Sequence, residues 1–243
     1  MSAMPARAAQ SPNKSGADPR LIVPLDLPTV AQAEAMVETL GDAVSFYKVG
    51  LELLATDGMG LARRLKAAGH EVFLDWKLHD IGATVRKAAA ALAGSGCDLL
   101  TVHAEPQVMA AAVEGRGAGS SLKILGVTVL TSLSDVDLVA LGYGYSARDL
   151  VVRRVRQAVD CGLDGVVCSP QEAGLIREIA GPDFLVVTPG VRPAWSSKDD
   201  QARAATPAAA LAAGATHLVC GRPITAAADP REAALKVVAE MAG

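Results

Sequence analysis

The chain predicts a single (β/α)8 TIM barrel, an α/β fold, on three observations. Eight short runs rich in Val, Ile and Leu recur along its 243 residues, each closed by Gly, Pro or polar residues. Segments of helical period alternate with them. The composition, 51% hydrophobic but only 3% aromatic, suits helices packed on a parallel sheet that is buried on both faces. An open doubly wound sheet is the rival arrangement. No G-x-G-x-x-G follows the first apolar run, which weakens a dinucleotide-binding version of it.

Residues 1–20, "MSAMPARAAQSPNKSGADPR", are rich in Ala, Ser, Pro and Gly and lack the apolar stretch of a secretory signal. They are expected to form a disordered tail, with the barrel occupying residues 21–243. The strand-like runs fall at 21–27, 44–50, 71–78, 97–104, 122–130, 164–169, 184–190 and 216–221. Thr29 is placed to cap a first helix that closes at Gly41. The helical segments 61–69, 85–94 and 148–162 likewise end at glycines suited to a left-handed cap, and a last helix covers 230–242. After the seventh run comes a long non-helical stretch, "RPAWSSKDDQARAATP", and such loops in compact domains often carry function.

The formal net charge is −3, and no basic stripe with interleaved aromatics is present, which argues against nucleic-acid binding. No apolar run is long enough to cross a bilayer. None of the four cysteines, Cys97, Cys161, Cys168 and Cys220, belongs to a C-x-x-C pair. All sit in or beside apolar runs, as expected of buried thiols in a reducing, cytoplasmic setting.

A parallel barrel builds its active site at the C-terminal ends of its strands. Asp26 stands at the first of these ends, Lys48 at the second, and Asp75 and Lys77 at the third, with Asp80 just beyond. His103 ends the fourth run, Thr131 follows the fifth, and Arg192 and Arg222 follow the seventh and eighth. Asp75 and Lys77 are two apart on a strand, so their side chains should share a face. If that face is the interior, Lys48 can join them in an alternating Lys–Asp–Lys array in which each charge neutralises the next. The lysines would then act as proton donor or fixed cation. A structural ion pair at a surfacing strand is the plain alternative for any one of these residues, but several converging charges favour a site.

Gly190, Arg192, Gln201, Gly221 and Arg222 lie in the loops after the last two runs, where barrels often hold a phosphate. The alternative there is two ordinary glycine turns with solvated arginines. His79 and His103 lack the spacing of a metal motif; a structural hydrogen bond is expected for His79 and a core-edge position for His103. Trp76 should face the helices, Trp195 lies in the long loop, and Ser169 reads as a helix cap.

In order and spacing, "LDL", "FYKVG", "FLDWKLHDIGATV", "GVTVLTS", "VTPGVRP", "DDQ" and "GRPI" resemble the orotidine 5′-phosphate decarboxylase family, from Leu21 to the C-terminus. The D-x-K-x-x-D element is shared with related sugar-phosphate enzymes, which use Mg²⁺ and an enediolate. Combined with "LHDI" and the Arg–Gln–Gly–Arg set it is specific. The resemblance implies conversion of orotidine 5′-monophosphate to uridine 5′-monophosphate without metal or organic cofactor. It implies that Asp26 and Lys48 contact the ribose, and that Lys48, Asp75, Lys77 and Asp80 form a charged tetrad with Lys77 as proton donor. It places Thr131 near the pyrimidine, and Arg192, Gln201, Gly221 and Arg222 on the 5′-phosphate. It also implies a homodimer in which Asp80 and Thr84 reach the partner's site.

Overall fold

The computed structural model describes residues 16–196 and 205–243. Eight parallel strands close on themselves in sequence order. They are β1 (Leu21–Pro24), β2 (Phe46–Val49), β3 (Glu71–Leu78), β4 (Leu99–His103), β5 (Lys123–Val127), β6 (Gly165–Val167), β7 (Leu185–Thr188) and β8 (His217–Val219). The ring closes where Leu21 and Ile22 of β1 pair with Leu218 and Val219 of β8.

The helices are α1 (Val30–Leu40), α2 (Leu51–Leu54), α3 (Gly58–Ala67), α4 (Gly82–Ala93), α5 (Pro106–Arg116) and α6 (Asp135–Ala140). They continue with α7 (Ala147–Asp160), α8 (Ala173–Ala180), α9 (Pro207–Ala212), α10 (Arg222–Thr225) and α11 (Pro230–Ala242). Local chemistry fixes their ends. The Thr29 hydroxyl accepts from the Gln32 N–H at the start of α1, as expected of a cap. The Ser169 hydroxyl accepts from the Gln171 N–H, and its own N–H donates to Glu172. Gly41, Gly69 and Gly162 take positive φ. Gly94 does not, with φ −88; the left-handed residue of that turn is Gly96 at φ 78.

The apolar residues form two layers because strand side chains alternate. Ile22, Phe46, Phe73, Leu99, Leu125, Val187 and Val219 fill the barrel interior. Their neighbours, such as Leu21, Val23, Tyr47, Val72, Leu74 and Leu100, pack outward against the helices. The inward set forms a plug across the barrel. Two residues further along each strand the side chain again points inward, one level nearer the C-terminal rim. This puts Pro24, Lys48, Asp75, Thr101, Val127, Pro189 and Gly221 on the level above Ile22, Phe46, Phe73, Leu99, Leu125, Val187 and Val219.

Several predicted strands run past the observed ladders. The run 21–27 shortens to β1, with only the Leu25 N–H continuing to the Lys48 carbonyl at 2.9 Å. Asp26 thus lies in the loop after β1, whereas Lys48 stays within β2 and Asp75 and Lys77 within β3. At the other end, residues 16–20 of the expected tail are described. Asp18 accepts from the Arg20 backbone and guanidinium, and the Arg20 carbonyl accepts from the Leu218 N–H at 2.8 Å. Residues 1–15 of that tail lie outside the described residues. No described helix is long and apolar enough to cross a membrane.

His217 opens β8 with its ring edge-on to Phe46, centroids 5.9 Å apart. Burial pushes its pKa down to about 4, outweighing the nearby Asp18 carboxylate. A depressed folded-state value means that the unfolded chain binds the proton more readily. The stabilising contribution is therefore complete above about pH 6.5 and is lost as pH falls through about 4. The loss should reach roughly 2–3 kcal/mol. Urea unfolding at about pH 7.5 and about pH 5 should show this loss in the native chain and a smaller one in His217→Gln. Equal losses in the two would refute it.

Candidate active site

A cavity of about 370 Å³ opens at the C-terminal rim above the interior plug. Asp26, Lys48, Asp75, Lys77, Thr131, Arg192, Gly221 and Arg222 line it, over an apolar floor and wall that include Phe73, Val127, Val129 and Val167. This is the size and mixed lining of a small-molecule site.

The charges form a chain. The Lys48 ammonium donates to Asp26 at 2.9 Å and lies 3.4 Å from Asp75; Lys77 donates to Asp75 at 2.9 Å. Exposure grades along it, with side chains 9% accessible at Lys48, 14% at Asp75, 26% at Lys77 and 50% at Asp26. The centre of the array is thus a sheltered carboxylate between two ammoniums. Burial pushes the Asp75 pKa up, but Lys48, Lys77 and the Thr101 hydroxyl together hold it below the usual carboxylate range. Asp75 is therefore charged at neutral pH and fixes both lysines in place.

The expected reason for the Asp75–Lys77 contact needs correcting. Simple alternation does not produce it, because the β3–β4 ladder is irregular here. Leu74 pairs with Leu100 but Leu78 pairs with Val102. Three β3 residues thus stand against the single residue Thr101. Lys77 absorbs the excess with φ 48, the one positive φ at a non-glycine among the described residues. Such backbone is costly for a side-chain-bearing residue and persists where surrounding bonds over-determine it.

Sequence reasoning missed two further residues at this site. Thr101 is fully buried; it accepts from the Lys77 N–H at 2.9 Å and donates to Asp75 at 2.9 Å. Gly50 lies against the outer pair, since a Cβ there would fall 2.6 Å from Asp26 and 2.9 Å from the Lys48 ammonium. Its signal was in "FYKVG", where a glycine follows the strand-end lysine.

Gly190 takes φ 80, and beyond it Val191 forms a bridge with Ala205 that ties the two ends of the long loop together. The Arg192 N–H donates to the Ala205 carbonyl at 2.9 Å while its side chain lines the cavity. At the Gly221 approach, a Cβ would meet Pro24 at 3.0 Å. Gln201 lies outside the described residues.

Asp80 and Thr84 are exposed and do not line this cavity. Asp80 accepts from the Ile81 N–H at 2.6 Å. His79 bonds Glu105 at 2.7 Å, and its ring lies tilted against that of His103, centroids 4.7 Å apart. His79, His103 and Glu105 stand close enough to share a metal ion. The Arg154 guanidinium also lies 3.9 Å from Glu105 and would oppose a second cation there. Trp76 packs among the outer-layer residues as expected, with its indole N–H buried and unpartnered among the described residues. Cys168 borders the cavity, and burial pushes its thiol pKa well up, so it is neutral lining.

A closed parallel barrel whose rim cavity is lined by an acid–ammonium array beside arginines has the build of a (β/α)8-barrel enzyme. The chain belongs to the orotidine 5′-phosphate decarboxylase / HUMPS family, whose model matches residues 19–237. It is 78% identical to a protein from Caulobacter sp. (strain K31) named orotidine 5′-phosphate decarboxylase, over 93% of this chain and 99% of that protein. A protein of the same name from Methylobacterium radiotolerans is 55% identical, over 93% and 98% of the two chains. The crystal structure of orotidine 5′-phosphate decarboxylase from Lactobacillus acidophilus superposes with a TM-score of 0.81 at 38% identity, covering 93% of this chain and all of that one.

Proposed function

We propose that this protein decarboxylates orotidine 5′-monophosphate to uridine 5′-monophosphate, the last step of de novo pyrimidine nucleotide synthesis, in the cytoplasm. The observation that carries the reading is the Asp75 carboxylate clamped between Lys48 and Lys77 in a cavity that Arg192 and Arg222 also line. A binding-only barrel would gain little from such an array, because mutually neutralising charges are costly to desolvate.

In the reaction the bond from C6 of the pyrimidine to its carboxylate breaks heterolytically. Carbon dioxide leaves, and the electron pair stays on C6 in an in-plane orbital with little delocalisation. Water stabilises such a carbanion poorly. The Lys77 ammonium, held by Asp75, offers a fixed positive charge where the electron pair develops, with little reorganisation needed. Lys77 then gives its proton to C6 and regains one from solvent. Asp26 and Lys48 hold the ribose hydroxyls, and Thr131 borders the pyrimidine. Arg192, Gln201, Gly221 and Arg222 hold the 5′-phosphate, with Arg192 clamping its oxygens. Binding energy from this distant group orders the site for the chemical step.

The protein acts as a homodimer in this reading. Asp80 and Thr84 are exposed and off their own cavity, with Ile81 between them 70% exposed, as suits residues that complete the partner's site. Turnover in D₂O tests the chemistry. The product should carry deuterium at C6 of uridine 5′-monophosphate; a product with hydrogen there, or no product, would reject protonation of a C6 carbanion.

A further inference from the structure

We infer that Thr101 is a positioning residue for the decarboxylation, setting both the main chain of Lys77 and the carboxylate of Asp75. The inference rests on the proposed function for its kinetic consequences and on the β3–β4 junction for its geometry.

Between the matched pairs Leu74–Leu100 and Leu78–Val102, β3 carries two residues more than β4. A strand with surplus residues cannot satisfy every backbone group from the neighbouring ladder. The Lys77 N–H is one such group, turned out of register by its φ of 48. It finds the Thr101 side-chain oxygen at 2.9 Å in place of a β4 carbonyl. The hydroxyl proton is then committed to Asp75 Oδ1, also at 2.9 Å. The same Oδ1 accepts the Lys77 ammonium at 2.9 Å. One buried hydroxyl therefore closes a loop that runs from the Lys77 main chain through Thr101 and Asp75 to the Lys77 ammonium.

Thr101 is 0% exposed and points inward, two residues past Leu99 of the interior plug. A hydroxyl at that depth needs partners, and both of these belong to the charged array. The donated hydrogen bond also helps keep Asp75 ionised. Asp75 in turn is the only described carboxylate within ion-pair distance of the Lys77 ammonium. Losing the hydroxyl would orphan the Lys77 N–H, release the turn that φ 48 requires, and move the ammonium relative to C6.

Thr101→Val keeps shape and volume but removes both bonds; Thr101→Ser keeps both. Thr101→Val should lower kcat by about 10²-fold with KM changed by less than about threefold, while Thr101→Ser stays within about threefold of native, since misplacing a reacting group by about an ångström has effects of this size. The acid limb of the kcat profile should also move to higher pH in Thr101→Val, because Asp75 loses a donor. Thermal melts establish that each variant is folded, and Thr101→Ala replaces Thr101→Val if the latter is not. A kcat for the hydroxyl-free variant within about threefold of native, or an equal loss in Thr101→Ser, would overturn the inference. If the native protein does not turn over orotidine 5′-monophosphate, the functional reading fails, and crystal structures of native protein and Thr101→Val decide the positioning claim by themselves. Lys77 should leave the positive-φ region and separate from Asp75 in Thr101→Val. An unchanged Lys77 would refute it.

Discussion

Replacing Lys77 by alanine is expected to lower kcat by at least about 10⁴-fold, because the proton donation and carbanion stabilisation proposed for Lys77 would be lost together. Affinity for uridine 5′-monophosphate should change far less, since the ribose and phosphate contacts proposed for Asp26, Lys48, Arg192 and Arg222 do not pass through Lys77. Asp75 keeps Lys48 at 3.4 Å and the Thr101 hydroxyl at 2.9 Å, so the variant should fold despite losing one of its buried charges. The measurement is kcat from orotidine 5′-monophosphate absorbance together with product affinity by calorimetry. A variant with native turnover would remove Lys77 from the chemistry. One that loses product binding in step with turnover would make Lys77 a binding residue instead.

Mixing two inactive variants should restore activity. In the proposed homodimer each site takes Lys77 from one subunit and Asp80 from the other. Asp80→Ala and Lys77→Ala homodimers each lack one of these in both sites. A heterodimer of the two holds one complete site and one doubly deficient site. Random association makes half of the dimers mixed, so an equimolar refolded mixture should reach about a quarter of native turnover per subunit. Turnover no higher than the average of the two variants would place Asp80 in its own subunit's site or outside the chemistry. The exposed position of Asp80, with its carboxylate turned back to the Ile81 N–H, motivates the experiment.

Much of the frame was legible because barrel strands and their helices leave strong local marks. β3 covers Glu71–Leu78 and α11 covers Pro230–Ala242, as the apolar runs and end residues predict. α11 has its proline in the first turn and the Asp229 side chain accepting from the Glu232 N–H. The convergence of Asp26, Lys48, Asp75 and Lys77 follows from their common place at strand ends above an interior plug. What stayed hidden depends on neighbours rather than on local pattern. The β3–β4 register shift is set by how two strands meet in a sheared barrel, and nothing in "FLDWKLHDIG" marks it. Thr101 in "CDLLTVHA" reads as an ordinary strand-former until the surplus residues of β3 are placed against it. Gly94 does cap α4, but at φ −88 rather than left-handed, because "GSG" offers two glycines and the chain takes its positive φ at the second, Gly96.

The most direct test of the function places two substrates before the purified protein in EDTA: orotidine 5′-monophosphate and a keto-sugar phosphate of the kind handled by metal-dependent relatives of this barrel. Loss of orotidine 5′-monophosphate absorbance should proceed at the same rate with and without EDTA, while the sugar phosphate is left intact. Intact orotidine 5′-monophosphate, with sugar-phosphate turnover that EDTA abolishes, would contradict the proposed function.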